Sequence, residues 1–252
     1  MKKLILILFT ILLFQSCSKK EGASDFTQFV NPFIGTGGHG HTYPGATMPF
    51  GMMQLSPDTR LDGWDGCSGY HYSDKYIYGF SHTHLSGTGV SDYGDILLMP
   101  TNKAIFNNGS DGKEGYRAHF SHENEVAEPG YYKVHLDTTN IDVELTVSKR
   151  SGIHKYEYPS SKNQVLILDL EHRDVLNDFN MSIVNDKEIK GFRHSKAWAT
   201  NQYVYFYMEF SEPFLVDTIR NDSNKETEKL YKVHKGCHHN RGNGNTTTNS
   251  NK

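Results

Sequence analysis

The chain has 252 residues, with 26 Lys and Arg against 29 Asp and Glu, and a formal net charge of −3. That balance excludes the basic footprint of a nucleic-acid binder, and three cysteines are too few for a disulfide-built scaffold. Aromatic residues make up 12% of the chain, which argues for a packed core rather than a disordered polymer.

Lys2 and Lys3 precede an apolar run of eleven residues, Leu4 to Phe14. The run is too short to span a bilayer and suits the core of a signal peptide. It closes in Phe14-Gln15-Ser16-Cys17, a small residue directly before a cysteine, as at a bacterial lipoprotein processing site. Residues 1–16 are therefore expected to be a lipoprotein signal peptide, Cys17 the lipid-attachment residue, and residues 17–28 a polar tether. The expected location is the outer membrane or periplasm, with the membrane as a partner through the lipid anchor. The competing reading is an ordinary secreted protein cut nearby.

Residues 29–60 are rich in Gly and Pro and sustain no helical period. The stretch 63–90, GWDGCSGYHYSDKYIYGFSHTHLSGTGV, is unusual in another way. It carries three His, one Trp, five Tyr and Phe and six Gly, with few aliphatic side chains. From Asp95 the character changes. DILLMP reads as a short buried strand. In VELTV, Val143, Leu145 and Val147 alternate with Glu144 and Thr146. In YVYFYMEF, Val204, Phe206, Met208 and Phe210 share one face, and Tyr203, Tyr205, Tyr207 and Glu209 the other. A period of two marks strands with one face in a core. Turn residues separate the runs, so the chain is expected to be all-β: an antiparallel β-sandwich with long Gly- and aromatic-rich loops at one end. Residues 29–224 form that domain. The last twenty residues hold only Val233 and Cys237 as apolar side chains, so residues 225–252 are expected to be a disordered polar tail.

Two chemistries compete for the loop region. His39 and His41, and His82 and His84, are i, i+2 pairs that could each chelate a metal on a strand, but no carboxylate or thiolate completes a known spacing. Sugars ask for something else: a flat aromatic face flanked by carboxylate and imidazole groups. Trp64, Asp65, Tyr70, His71, Tyr72, His82 and His84 offer that mixture, although aromatic rings that plug one end of a sandwich would look the same. No nucleophile elbow, phosphate loop or zincin helix is present, and no pair of carboxylates can be given acid and base roles from the sequence.

The strings VNPFIGTGGHGHTYPGATMPFGMMQLSPDTR, GWDGCSGYHYSD and GFSHTHLSGTGVSDYGDILLMP resemble the N-terminal region of the glycoside hydrolase family 92 α-mannosidases, common in Bacteroidetes. GIHKYEYP, LILDLEHRDVLND and GFRHSKAWATNQYVYFYMEFSEPF extend the resemblance to about Phe214. It implies an N-terminal β-sandwich that, in longer proteins, precedes a C-terminal (α/α)6 barrel. The family hydrolyses terminal α-mannosides with inversion and depends on calcium. The catalytic carboxylates and most calcium ligands are expected on the barrel. No catalytic residue and no metal ligand is therefore assigned in this chain, and no cofactor is expected for it alone. The resemblance implies that Trp64 is a wall of the sugar subsite, with Asp65, His82 and His84 as polar contacts. The expected partners are α-mannoside glycans. The leading reading is a truncated half-site, inactive alone. The alternatives are a half-enzyme complemented by a separate barrel chain, or a free-standing mannoside-binding lipoprotein.

Overall fold

A computed structural model describes residues 25–87, 89–160 and 162–216, and the backbone of 231–235. The signal, Cys17 and most of the tether lie outside the described residues, as does most of the tail. The chain divides at Val30. Among the described residues of the first unit a 3-10 turn, Phe26–Phe29, is capped by Asp25, whose carboxylate accepts the Thr27 N–H at 3.0 Å.

In the second unit the strands run in chain order as β1 (Ala46–Thr47), β2 (Gln54–Asp58), β3 (Tyr76–Ile77), β4 (Gly79–Ser81) and β5 (Leu97–Thr101). Next come β6 (Ala118–Glu128), β7 (Tyr131–Leu136), β8 (Ile141–Val147), β9 (Gly152–Glu157) and β10 (Val165–Asp169). The last are β11 (Val175–Asn185), β12 (Glu188–Lys196), β13 (Gln202–Glu209), β14 (Phe214–Val216) and β15 (Tyr231–Lys235). All described pairings are antiparallel. They form a seven-stranded sheet, β1-β2-β4-β5-β10-β15-β14, a five-stranded sheet, β3-β6-β7-β8-β9, and a three-stranded sheet, β11-β12-β13. The expected all-β sandwich is what the chain adopts.

The seven-stranded sheet is the middle layer, and the side chains of β5 and β10 explain why. Both strands are buried almost throughout. Leu97, Met99, Val165 and Ile167 point into one core with Tyr132, Val134, Leu136, Ile141, Val143 and Leu145 of the five-stranded sheet. Ile96, Leu98, Leu166 and Leu168 point into a second core with Met181 and Ile189, against which Val204, Phe206 and Met208 pack. A strand apolar on both faces needs cover on both. The three-stranded sheet supplies the second cover, a layer that the period of two does not reveal by itself.

β15 pairs with β10 and β14, Leu166 opposite Val233 and Leu215 opposite His234. It lies within the stretch expected as a disordered tail from residue 225, so five residues of that stretch belong to a sheet. Apolar content undercounts such a strand, because its main chain satisfies the open edges of β10 and β14.

Candidate functional site

Three loop segments meet around Trp64. The first is 35–42. The second is the 3-10 turn Trp64–Gly66, entered through Gly63 at φ +78. The third is the connection from β4 to β5. The Gly87 N–H donates to the His41 carbonyl at 2.7 Å, and Ser68 Oγ donates to the Thr42 carbonyl at 3.0 Å. Trp64 is 62% exposed. Its ring meets His41 edge-on at 5.0 Å between centroids. The back of the indole rests on Gly89, where an added Cβ would lie 2.2 Å from Cη2; no other residue type leaves room for the ring there.

Asp65 follows on the same turn. Its Oδ1 lies 2.6 Å from His39 Nδ1 and 3.4 Å from His41 Nε2. The hydrogen bond to His39, aided by that to His41, holds the Asp65 carboxyl below the usual carboxylate range. An exposed indole face therefore stands beside a fixed, ionised acceptor.

Two arginines and four carboxylates hold this surface from beneath. Arg173, buried, donates from Nη2 to the Gly66 carbonyl at 2.9 Å and to Ser91 Oγ. Asp174 accepts the Tyr93 N–H at 2.9 Å. Asp92 accepts the N–H groups of Trp198 and Ala199 at 3.1 and 3.0 Å, tying the β12–β13 hairpin to the same loop. Asp95 pairs with Arg193 and accepts from Thr83 Oγ1 at 2.7 Å. Asp58 is fully buried between His84 and His172, 3.1 and 3.2 Å away. Burial alone would raise the Asp58 carboxyl, but His84 and His172 outweigh it and hold it far below the usual range. Asp174 goes the other way. Its burial raises it to about 6, against the opposing pull of Arg193.

The four sequence-nominated residues do not form one cluster. Trp64 and Asp65 come together, joined by His39 and His41. His84 is buried 2% exposed, with both ring nitrogens facing oxygens: Nδ1 the Gln54 carbonyl at 2.8 Å, Nε2 Asp58 at 3.1 Å. His82 lines another cavity, of about 1160 Å³, with His154, Tyr156, Leu166, Phe206 and Met208. The i, i+2 rule fails here because β4 ends at Ser81 and the chain bends away before His84. Tyr70, offered as a loop aromatic, is in the core, its hydroxyl on Glu125. Sequence reasoning missed Asp58, Asp92, Asp95, His172, Arg173, Asp174 and Arg193 as supports. A signal was there: the polar run Glu171-His172-Arg173-Asp174 closely follows β10, whose first four residues, Val165 to Leu168, are all apolar.

The ring nitrogens of His82 and His154 form a directed chain. His82 Nδ1 lies 2.5 Å from the Ile96 carbonyl, which can only accept, so Nδ1 carries the proton. His82 Nε2 then accepts from His154 Nε2 at 3.0 Å, and His154 Nδ1 accepts from the Tyr156 hydroxyl at 2.7 Å. Both rings are neutral, since burial pushes His82 down to about 4 and His154 well below the ordinary histidine value.

The model of the glycosyl hydrolase family 92 N-terminal domain matches residues 29–249. A protein of Arthroderma benhamiae described as an uncharacterized secreted glycosidase is 30% identical over 174 residues, covering 64% of this chain and 21% of that protein. A solved family GH92 α-mannosidase from Bacteroides thetaiotaomicron, with mannoimidazole in one structure, matches at 36% identity and a TM-score of 0.73. That match covers 82% of this chain and 30% of the other. The solved GH92 family glycosyl hydrolase ccman5 matches at 27% identity and a TM-score of 0.70, over 83% of this chain and 30% of the other. The chain thus spans 21 to 30% of the length of these relatives.

Proposed function

The chain belongs to glycosyl hydrolase family 92 by its N-terminal domain, and from that premise we propose that it forms one wall of the α-mannoside site of a bacterial exo-α-mannosidase, inactive without the rest of the enzyme. The observation that carries this reading is Trp64, exposed on one face, wedged against Gly89 and His41 on the other, beside the ionised Asp65. A pyranose lays its apolar C–H face on the indole, and a hydroxyl donates to Asp65. Export to the periplasm or outer membrane through Cys17 belongs to the same proposal. It is supported by the leading sequence and by the description of the Arthroderma relative as secreted.

Glycoside hydrolysis with inversion needs a protonated carboxyl and a carboxylate base on opposite sides of the bond. The carboxyls gathered here do not make such a pair. Asp58, Asp92 and Asp95 are buried and engaged with His84 and His172, with backbone N–H groups, and with Arg193. Asp65 is held ionised. Asp174 has the raised value of an acid, but its neighbour Asp92 has both oxygens occupied. Calcium enters through the family likeness, and the residues here do not fit it. Among the described residues no three His, Cys, Asp or Glu side chains converge as a cation site needs.

The test is turnover. Purified protein with 4-nitrophenyl α-mannoside and added calcium is expected to release no more nitrophenol than buffer does. Turnover above that blank that disappears on chelation would overturn the reading.

A further inference from the structure

The outward face of the three-stranded sheet carries an ordered array. Pairing sets His194 opposite Tyr203, Phe192 opposite Tyr205 and Lys190 opposite Tyr207 across β12 and β13. Across β11 and β12 it sets Asp178 opposite His194, Asn180 opposite Phe192 and Ser182 opposite Lys190. The result is a column of tyrosines on the β13 edge, a middle column of two rings and a lysine, and a column of short hydrogen-bonding side chains on β11. Tyr203, Tyr205 and Tyr207 are 49, 72 and 59% exposed. The platform is braced. His194 stacks on Tyr203 at 4.0 Å and 8°, and the Phe192 ring lies 6.3 and 5.7 Å from those of Tyr203 and Tyr205.

Folding does not require these rings. Val204, Phe206 and Met208, on the opposite face of β13, already pack on the second core. Three tyrosines in solvent are a surface with a purpose beyond the core. Alternate residues of a strand are about 7 Å apart, so the column is a flat row of apolar faces, each with a phenol at its tip and amide or carboxylate groups alongside. A chain of pyranose rings has the complementary form, with apolar C–H faces along its length and hydroxyls along its rims. Asp178 accepts the Phe179 N–H at 2.8 Å and Ser182 Oγ donates to Asn180 Oδ1 at 3.3 Å; an aliphatic protein surface would desolvate the remaining polar capacity of these side chains without replacing its water.

We propose that this face binds an extended polysaccharide lying along β13, its rings on Tyr203, Tyr205 and Tyr207 and its hydroxyls bonded to Asp178 and Asn180. The proposal shares its ligand class with the reading of Trp64 but none of its residues.

The experiment is native electrophoresis of the full chain through gels containing yeast mannan or hydroxyethyl cellulose. The wild-type protein is expected to be retarded by at least one of them. The triple variant Tyr203→Ala, Tyr205→Ala, Tyr207→Ala should weaken that retardation about tenfold or more, as loss of ring contacts predicts, whereas Val126→Ser, at an exposed position of β6, should leave it unchanged. Circular dichroism checks the fold of the triple variant. If it fails to fold, Tyr205→Ser decides the matter with a loss of about threefold. No retardation in either gel, or retardation that persists without the tyrosines, would overturn the proposal. So would a concentration-dependent dimer, seen by ultracentrifugation, that the triple variant abolishes, because a second copy would then cover the face.

Discussion

Replacing Arg193 with methionine is expected to lower the unfolding free energy by about 3–5 kcal/mol, the cost of leaving a buried charge without its partner. Arg193 is 1% exposed and sits on β12 where the core-facing period calls for an apolar residue. Its Nη1 lies 2.5 Å from Asp95 Oδ1, its Nε donates to the Leu170 carbonyl at 2.7 Å, and its Nη2 donates to the Arg173 carbonyl. Methionine fills much of the volume but satisfies none of the three acceptors. Asp95 keeps Thr83 and the Gln202 amide, which soften the loss without neutralising the charge. Urea unfolding followed by far-ultraviolet circular dichroism measures the change. Removing both charges, with Arg193→Met and Asp95→Leu together, should cost less than the sum of the single changes. A single-variant change below about 1 kcal/mol would show that the pair does not hold the second core to the site loop.

Acidification from pH 7 to pH 5 is expected to destabilise the protein, well before ordinary carboxylates titrate. His82 and His154 are neutral in the folded chain, and burial keeps them so. In the unfolded chain each takes up a proton near 6.5. Below that value the unfolded state binds more protons, so stability drops as pH falls toward 4, where His82 titrates in the fold. For His82 alone the loss by pH 5 is about 2 kcal/mol, and His154 acts in the same direction. Asp174 opposes them, because a carboxyl raised to about 6 takes up its proton in the fold first; its partial exposure makes that return small. Protonating His82 also puts two N–H groups face to face at the 3.0 Å contact with His154, and protonating His154 sets a new N–H against the Tyr156 hydroxyl, 2.7 Å away, which must turn to accept it. The cavity rim contributes Arg150, Lys155, Glu157, Glu209 and Glu212, and Asp58 and Asp95 act on His82 through charge. Unfolding midpoints at pH 7 and pH 5 check the prediction, with His154→Phe expected to flatten the slope. Equal or higher stability at pH 5 would contradict it.

The strands were readable because their period of two is imposed by the pleat, and Val143 to Val147 and Val204 to Met208 keep that period without interruption. The third layer was harder to see. β5 and β10 are apolar at successive positions, which fits burial on both faces but does not say what covers the second face. Within the site, Trp64 and Asp65 were legible because they are adjacent on one turn and cannot be separated. His82 and His84 were not, since their common face depended on a strand that ends at Ser81. The supports were hidden for another reason. Asp58, Arg173 and Arg193 look like surface residues until the tertiary contacts that bury them are known. The strand at Tyr231–Lys235 depends on two open sheet edges, neither of which leaves a mark in its own composition.

The proposal makes Trp64 the aromatic wall of a mannoside site of which the described residues supply one side. Such a site encloses little of its ligand, so affinity for mannobiose should be weak, on the order of millimolar. Saturation-transfer NMR on the sugar measures this without relying on tryptophan as a reporter. The account predicts weak transfer that Trp64→Ala abolishes and that Trp198→Ala and Tyr205→Ser retain. Micromolar binding that survives Trp64→Ala would contradict it and move the sugar to another part of the chain.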